Sequence, residues 1–216
     1  MNYSIVGMAL GALFPAVGTT LRLAFAGIVL AALLGIVLAT VRLLRPPVLH
    51  GLVGAYIELF RNTPLILQMF VVYFGLPLVG FRLSGFACGV LGLALQHAAF
   101  LAVLFQSAIE SVPKGQWEGA RALGMRRRVV LRKVILPQAL RASTPALTSA
   151  VIVIVKDTSL VAGIGVMDLT LTGKVLLERT AASFEIFVAI ALIYLAMTVV
   201  VAGIGGLLEV RMRSRA

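Results

Sequence analysis

Apolar runs of bilayer length constrain this chain more than any other feature. Residues 23–41, LAFAGIVLAALLGIVLATV, contain neither a charged side chain nor a proline. About 20 such residues in a helix cross the hydrocarbon core of a bilayer. The composition agrees, because 61% of the 216 residues are hydrophobic and only 12% are charged, whereas soluble domains carry about 25% charged residues. The chain is therefore predicted to be an integral membrane protein.

Five runs of this kind predict five transmembrane helices. They lie at residues 23–41, 64–81, 84–109, 143–165 and 184–208. Residues 1–21 contain no charged side chain either, which leaves a sixth span open. Pro15 and Gly18, with no polar turn before Arg22, favour instead a shorter helical prelude to the first span. The sequence thus predicts an all-α integral membrane protein in which residues 1–216 form a single transmembrane domain.

The basic residues alternate between the connections, and this alternation predicts the orientation. The formal net charge is +11. Basic residues concentrate after the first predicted span, after the third and in the tail, at Arg42, Arg45 and Arg61, at residues 114–141, and at Arg211, Arg213 and Arg215. Because cytoplasmic connections are enriched in Lys and Arg, the N-terminus is expected outside and the C-terminus in the cytoplasm. Clustered basic residues can also indicate a nucleic-acid partner, but in a membrane protein none is expected.

The connection at residues 110–141 is longer than a turn requires, so it is expected to fold. Pro113 suits the start of a helix and Gly124 the end of one, and Pro137 is expected to end a second short helix. The two helices would form an elbow around Gly124. The apolar residues of the second helix scatter around its axis and form no single lipid-facing stripe. This distribution favours a pocket that contacts the segment from several sides.

The elbow carries a motif with a defined spacing. Its residues are Glu118, Gly119, Ala120, Gly124, Val134, Leu136 and Pro137. The spacing resembles the signature of bacterial ATP-binding-cassette importer permeases, which is Glu-Ala-Ala, three residues, Gly, nine residues, then Ile, any residue and Leu-Pro. This chain has Gly119 where the signature has Ala, and Val134 where it has Ile. Both differences are small in volume. The resemblance assigns Glu118 to the ATPase contact, Gly124 to the bend and Pro137 to the stop before the fourth span.

Further stretches narrow the resemblance. Residues 55–77 (AYIELFRNTPLILQMFVVYFGLP), 111–124 (SVPKGQWEGARALG), 134–141 (VILPQALR) and 156–166 (KDTSLVAGIGV) are similar to the permeases of polar amino acid uptake systems. That group contains the histidine, glutamine and glutamate/aspartate systems. The similarity runs from Thr19 onward. It implies the transmembrane domain of a type I importer in a bacterial inner membrane, with the elbow as its coupling element.

The resemblance also implies partners that supply energy and substrate. These are a dimer of cytoplasmic ATPases, a second permease subunit of the same or a related chain, and an external or periplasmic amino acid binding protein. The chain has no GxxxxGK[ST] phosphate loop, since Gly173 and Lys174 lack the upstream glycine and the following Ser or Thr. ATP and Mg²⁺ are therefore expected on the ATPase, with no cofactor and no catalytic residue on this chain. Cys88 is the single cysteine, so no cysteine-built metal site is expected.

Polar residues inside the predicted spans are candidates for the translocation path, because charges at that depth are costly and usually functional. They are Gln68, Gln96, His97, Lys156, Asp157, Thr158 and Ser159. Two interpretations stay open for the fourth span. Either Asp157 meets a substrate ammonium group, or Lys156 snorkels outward and Asp157 caps a broken helix before residues 163–165. The glutamines, His97 and Gln106 suit helix-packing contacts at least as well as ligand contacts.

Two further patterns are typical of helix ends and helix packing. Asn62 or Thr63 can cap a helix that has Pro64 at an early position. Gly85 and Gly89, four residues apart, permit two helices to approach closely, within the chain or at a subunit interface.

Two other functions stand as alternatives to import driven by separate ATPases. An autonomous channel or ion-coupled small-solute transporter would work without nucleotide and would spread charged residues over several spans, whereas here the clearest ones lie in one span. A membrane scaffold would bind lipid or nucleic acid through its basic connection, with a strong dependence on salt. Import of a polar amino acid into the cytoplasm is the predicted function.

Overall fold

Helices make up nearly all of the computed structural model, which describes residues 3–180 and 183–213. In this part of the chain, four helices are long and apolar enough to cross a bilayer, at Gly11–Leu44, Gly85–Glu110, Arg127–Ile164 and Phe184–Met212. A pair of helices bent by 109° makes a fifth span if the pair is counted as one. The prediction of an all-α membrane protein with about five spans is confirmed.

The described part of the chain contains nine α-helices, numbered in chain order. They are α1 (Tyr3–Leu44), α2 (Pro47–Asn62), α3 (Leu65–Phe70), α4 (Gly85–Glu110), α5 (Lys114–Ala122), α6 (Arg127–Val130), α7 (Leu136–Asp157), α8 (Leu169–Thr180) and α9 (Ser183–Arg213). Tighter or wider turns extend three of them. A π turn (Val71–Gly75) and a 3₁₀ turn (Leu76–Val79) follow α3, a π turn (Leu131–Ile135) joins α6 to α7, and a 3₁₀ turn (Thr158–Ile164) follows α7.

The first span is longer than predicted. α1 continues through Pro15 without a break, so residues 3–21 belong to the helix of the first span and form neither a sixth span nor a separate prelude. Pro is tolerated inside membrane helices because neighbouring groups satisfy the one carbonyl that it frees. Leu13 is fully buried in a cluster with Leu169 and Ile186, which holds the early part of α1 against α8 and α9.

Two helices, α2 and α8, occupy stretches that the sequence analysis treated as connections. The predicted caps between α2 and α3 are wrong. The side chains of Asn62 and Thr63 donate to the carbonyls of Glu58 and Leu59, so they close the end of α2. Pro64 is extended and precedes α3. A residue before proline avoids helical geometry, and Thr63 accordingly takes φ −109° and ψ 141°, which produces the corner.

The core of the membrane region joins α1, α3, α4, α7 and the 3₁₀ turn after α7. Its buried residues include Leu23, Leu65, Met69, Leu93, Ile154 and Val161. Glycines on α4 allow these elements to approach. A Cβ atom at Gly89 would lie 2.9 Å from Cγ1 of Val161, and one at Gly85 would lie 3.2 Å from Cγ2 of Val166. The close contact expected at these two glycines therefore lies within the chain.

Candidate functional site

The elbow bends at Gly124, which adopts the left-handed conformation with φ +73°. Two backbone hydrogen bonds close the end of α5, from the N–H of Gly124 to the carbonyl of Arg121 (2.9 Å) and from the N–H of Met125 to the carbonyl of Ala120 (3.2 Å). This is the pattern of a helix that ends on glycine, because only glycine enters that conformation without steric cost. The chain then turns into α6.

The motif residues of the elbow divide between its inner and outer faces. Ala120 is buried in a cluster with Ile109, Val130 and Ile135, and the side chains of Val134 and Leu136 pack against that cluster. Glu118 and Gly119 are exposed. Aliphatic packing thus fixes the shape of the elbow, while the outer face of α5 stays open to another molecule.

Pro137 does not end the second helix of the elbow. The chain is helical over the whole of Arg127–Ile164. This range includes the π turn that precedes Pro137. The N–H of Leu136 donates to the carbonyl of Leu131, five residues back. Proline removes one helical donor and its ring crowds the preceding turn, and a π turn absorbs such a defect without ending the helix. The predicted stop at Pro137 is wrong for this reason.

The side chains of His97 and Asp157 lie within ion-pair distance of each other inside the membrane region. Nε2 of His97, near the middle of α4, lies 3.0 Å from Oδ2 of Asp157, the last residue of α7. The side chains are 6% and 30% exposed, respectively. The contact has the distance of an ion pair but not the direction of a hydrogen bond, so Nε2 has no hydrogen-bond partner among the described residues. The contact joins the third and fourth spans.

Asp157 does not cap a broken helix. Its backbone is helical (φ −69°, ψ −16°), its side chain makes no capping hydrogen bond, and the chain continues directly into the 3₁₀ turn. The capping interpretation is therefore wrong, because the carboxylate lies against His97. Lys156 is exposed and Ser159 is half-buried. Thr158 is fully buried, and its hydroxyl donates to the carbonyl of Val155 (2.7 Å), which stabilises the turn.

The glutamines of the spans differ in their contacts. Nε2 of Gln68 donates to the carbonyls of Phe60 (3.0 Å) and Thr63 (3.1 Å) and so ties α3 to the end of α2. Gln106 accepts from Nε of Arg42 (3.2 Å) and donates to Oε1 of Glu110 (2.8 Å). Both residues make helix-packing contacts.

Three buried polar atoms have no hydrogen-bond partner among the described residues. They are Oε1 of Gln68, Oε1 of Gln96 and Nε2 of His97. Buried polar atoms are almost always paired in folded proteins. Nε2 of His97 lies 3.0 Å from Oδ2 of Asp157, whereas a partner from outside this chain, such as substrate or water, would satisfy the two glutamine oxygens. Gln96 and His97 are neighbours on α4, which makes this part of the helix the best-supported candidate for the path.

Asp168 is a functional candidate that the sequence analysis missed. It is fully buried, its Oδ1 accepts from the N–H of Leu171 (2.9 Å), and its Oδ2 accepts from the hydroxyl of Tyr194 (3.3 Å). Burial raises the pKa of the Asp168 carboxyl, and these hydrogen bonds oppose part of the rise. The hydroxyl of Thr20 accepts from the N–H of Leu169 nearby (3.1 Å). An Asp directly before a helix is a recognisable N-cap, and that signal could have found it.

No group of three His, Cys, Asp or Glu side chains lies close enough to hold a metal ion within residues 3–180 and 183–213.

Comparison with known proteins gives consistent matches over most of the chain. The sequence profile of the family described as "Binding-protein-dependent transport system inner membrane component" matches residues 31–214. The chain is 34% identical over 203 residues to the probable amino-acid permease protein YxeN of Bacillus subtilis, covering 93% of this chain and 91% of that protein. It is 37% identical over 188 residues to the probable amino-acid ABC transporter permease protein PatM of Vibrio harveyi, covering 85% and 83%.

A solved structure agrees in fold as well as in sequence. The crystal structure of an amino acid ABC transporter with histidines contains a chain that superposes with a TM-score of 0.92 at 31% sequence identity. The superposition covers 98% of this chain and 99% of that one.

Proposed function

The chain belongs to the family of inner membrane components of binding-protein-dependent transport systems, and on this premise we propose that it carries a polar amino acid into the cytoplasm. It is the permease subunit of an ATP-binding-cassette importer, and this membership decides against an autonomous channel or ion-coupled transporter. The proposed substrate class rests on one observation. This chain matches a chain of an amino acid transporter over nearly its whole length.

The proposed complex contains partners that this chain needs for transport. Two cytoplasmic ATPases use ATP and Mg²⁺, a second permease subunit of the same or a related chain completes the pore, and an external or periplasmic binding protein delivers the amino acid. The proposed orientation has the N-terminus outside and the C-terminus in the cytoplasm. It is supported by the basic residues of the elbow and of the end of α9, which suit the cytoplasmic side.

We propose that the outer face of α5 docks into a cleft on the ATPase. Glu118 and Gly119 are exposed there, while Ala120, Val134 and Leu136 hold the elbow in shape from the inner face. Gly124 permits the bend and Pro137 lies in the helix that continues into the membrane. A movement of the ATPase would therefore reach the fourth span through continuous backbone.

The docking proposal is tested with Glu118→Lys. The variant is expected to insert into the membrane normally and to lose co-purification with the ATPase, because the reversed charge lies at the contact. The control is Glu178→Lys, the same reversal at an exposed residue of α8. Co-purification of Glu118→Lys at the yield of the control would contradict the docking role.

The path is proposed to pass the His97 and Asp157 pair, with Gln96, Lys156, Ser159 and the neighbouring Gln68 and Thr158 as further candidates. The support is the pair of charged side chains inside the membrane region and the unpartnered polar atoms beside it. Uptake of a panel of radiolabelled amino acids by the complete reconstituted system tests the proposed import function. ATP-dependent uptake of polar amino acids is expected, and uptake that needs neither ATP nor the binding protein would overturn the proposal.

A further inference from the structure

Two adjoining cavities lie where α1 and α4 end and the helix after the elbow begins. The first, of about 350 Å³, is lined mainly by aliphatic and aromatic side chains, among them Ile36, Phe105 and Ala139. Thr40 and Ser143 are its only hydroxyl-bearing residues. The second, of about 550 Å³, shares four lining residues with the first, Leu43, Leu44, Ile109 and Leu131. The two cavities therefore form one continuous cleft.

The second cavity differs from the first in its polar lining. Arg127 and Arg128 of α6 line it, together with Trp117 of α5 and Glu110 of α4. Both arginines are exposed, and neither lies within ion-pair distance of a carboxylate among residues 3–180 and 183–213. Glu110 already accepts a hydrogen bond from Gln106. Two guanidinium groups thus face the cleft against a single carboxylate, which favours an anionic ligand.

The apolar cavity is suited to a hydrocarbon chain. An apolar cavity holds water poorly because water needs two or more polar partners. Leu44 and Leu140 line this cavity and are 69% and 47% exposed, so the cleft opens at the protein surface. Trp117 is half-buried beside the arginines, and indole rings favour the level of the lipid headgroups.

We propose that this cleft binds an anionic phospholipid, with an acyl chain in the aliphatic cavity and the phosphate between Arg127 and Arg128. A guanidinium group donates two parallel hydrogen bonds to a phosphate, and basic pockets between membrane helices on the cytoplasmic side bind anionic headgroups. An acidic surface of a protein partner would satisfy the arginines but not the aliphatic cavity behind them. The lipid satisfies both.

The test uses the full permease complex in nanodiscs and measures lipid retention by native mass spectrometry, with phosphatidylglycerol against phosphatidylcholine. The variant Arg127→Gln with Arg128→Gln is expected to lower phosphatidylglycerol binding about 25-fold, since each basic residue near a membrane surface contributes about fivefold. The control variant, Arg132→Gln with Lys133→Gln, removes the same number of positive charges. These two residues are exposed on the same segment and do not line the cleft. It is expected to retain the lipid.

A second variant addresses the aliphatic cavity without changing charge. Thr40→Phe places a ring at an exposed position of the lining and is expected to lower lipid retention, whereas Thr40→Val keeps the volume and the retention. Equal loss in the Arg132 and Lys133 control, or equal retention of the two lipids by the unmodified complex, would overturn the proposal. So would loss of the ATPase with full lipid retention in the Arg127 and Arg128 variant, because the arginines would then form a protein contact.

Discussion

The elbow and the membrane region place their functional side chains in opposite ways. α5 presents Glu118 and Gly119 to the surroundings, and its inner face packs against an apolar cluster. The membrane region instead pairs Asp157 with His97 on a different helix. A contact with a partner protein needs exposed groups on a fixed shape, whereas a charge inside a membrane needs a partner from another element. The first arrangement is local in sequence and the second is not.

Gly92→Leu tests the tight packing of the membrane region and has the largest expected effect. A Cβ atom there would lie 2.7 Å from Cγ of Met69, which is fully buried and has no room to move. Overpacking of this kind costs about 1 to 3 kcal/mol. The measurement is unfolding in detergent, compared with Gly119→Ala in the elbow.

Gly119 has open space around it, so its replacement by Ala is expected to stabilise the elbow by up to about 1 kcal/mol. The comparison fails if the two glycine variants change stability in the same direction.

Asp168 supplies an effect of comparable size that depends on pH. Burial raises the pKa of its carboxyl above the ordinary value of 3.8. The folded state therefore favours the protonated form, so this contribution to stability is complete below pH 3.8 and is lost as the pH rises through the raised pKa. Asp168→Asn should flatten that dependence and keep the cap, while Asp168→Ala should cost about 1 to 3 kcal/mol. Unfolding between pH 3 and 8 measures both, and an unchanged slope in Asp168→Asn would contradict the assignment.

The His97 and Asp157 pair has the smallest expected effect on stability. A double-mutant cycle with His97→Gln and Asp157→Asn should give a coupling of about 1 kcal/mol, since contacting residues couple and the partial exposure of Asp157 reduces the gain. The matched cycle replaces Asp157→Asn with Lys156→Gln, at an exposed neighbour. Equal coupling in the two cycles would show that the ion pair contributes nothing specific.

The sequence predicted the features whose cause is local. Apolar runs gave the spans, and the glycine at 124 gave the bend, because each depends on neighbouring residues alone. The sequence predicts that the second helix of the elbow ends at Pro137, since proline normally interrupts helical hydrogen bonding. The π turn that accommodates it depends on how Val130 and Ile135 pack under the elbow, which local patterns do not contain.

The pairings across the fold could not be read from the sequence. His97 and Asp157 are far apart in the chain, and their charges alone did not indicate that they meet. The same holds for Thr20, whose hydroxyl accepts from the N–H of Leu169. α2 and α8 lie outside the apolar runs that predict spans, because each contains basic residues. The apolar spacing of α2, which buries Ile57, was the signal that indicated a helix there.

The uninterrupted helical run Arg127–Ile164 has a mechanical consequence. Its 38 residues extend about 55 Å at about 1.5 Å per residue. A lever of that length, tilted by about 10° around its midpoint, displaces its two ends by about 5 Å in opposite directions. One end carries Arg127 and the other lies just beyond Asp157. Leverage of this kind needs no hinge between the two ends, so a displacement of several ångströms at the elbow becomes an equal and opposite displacement beyond Asp157.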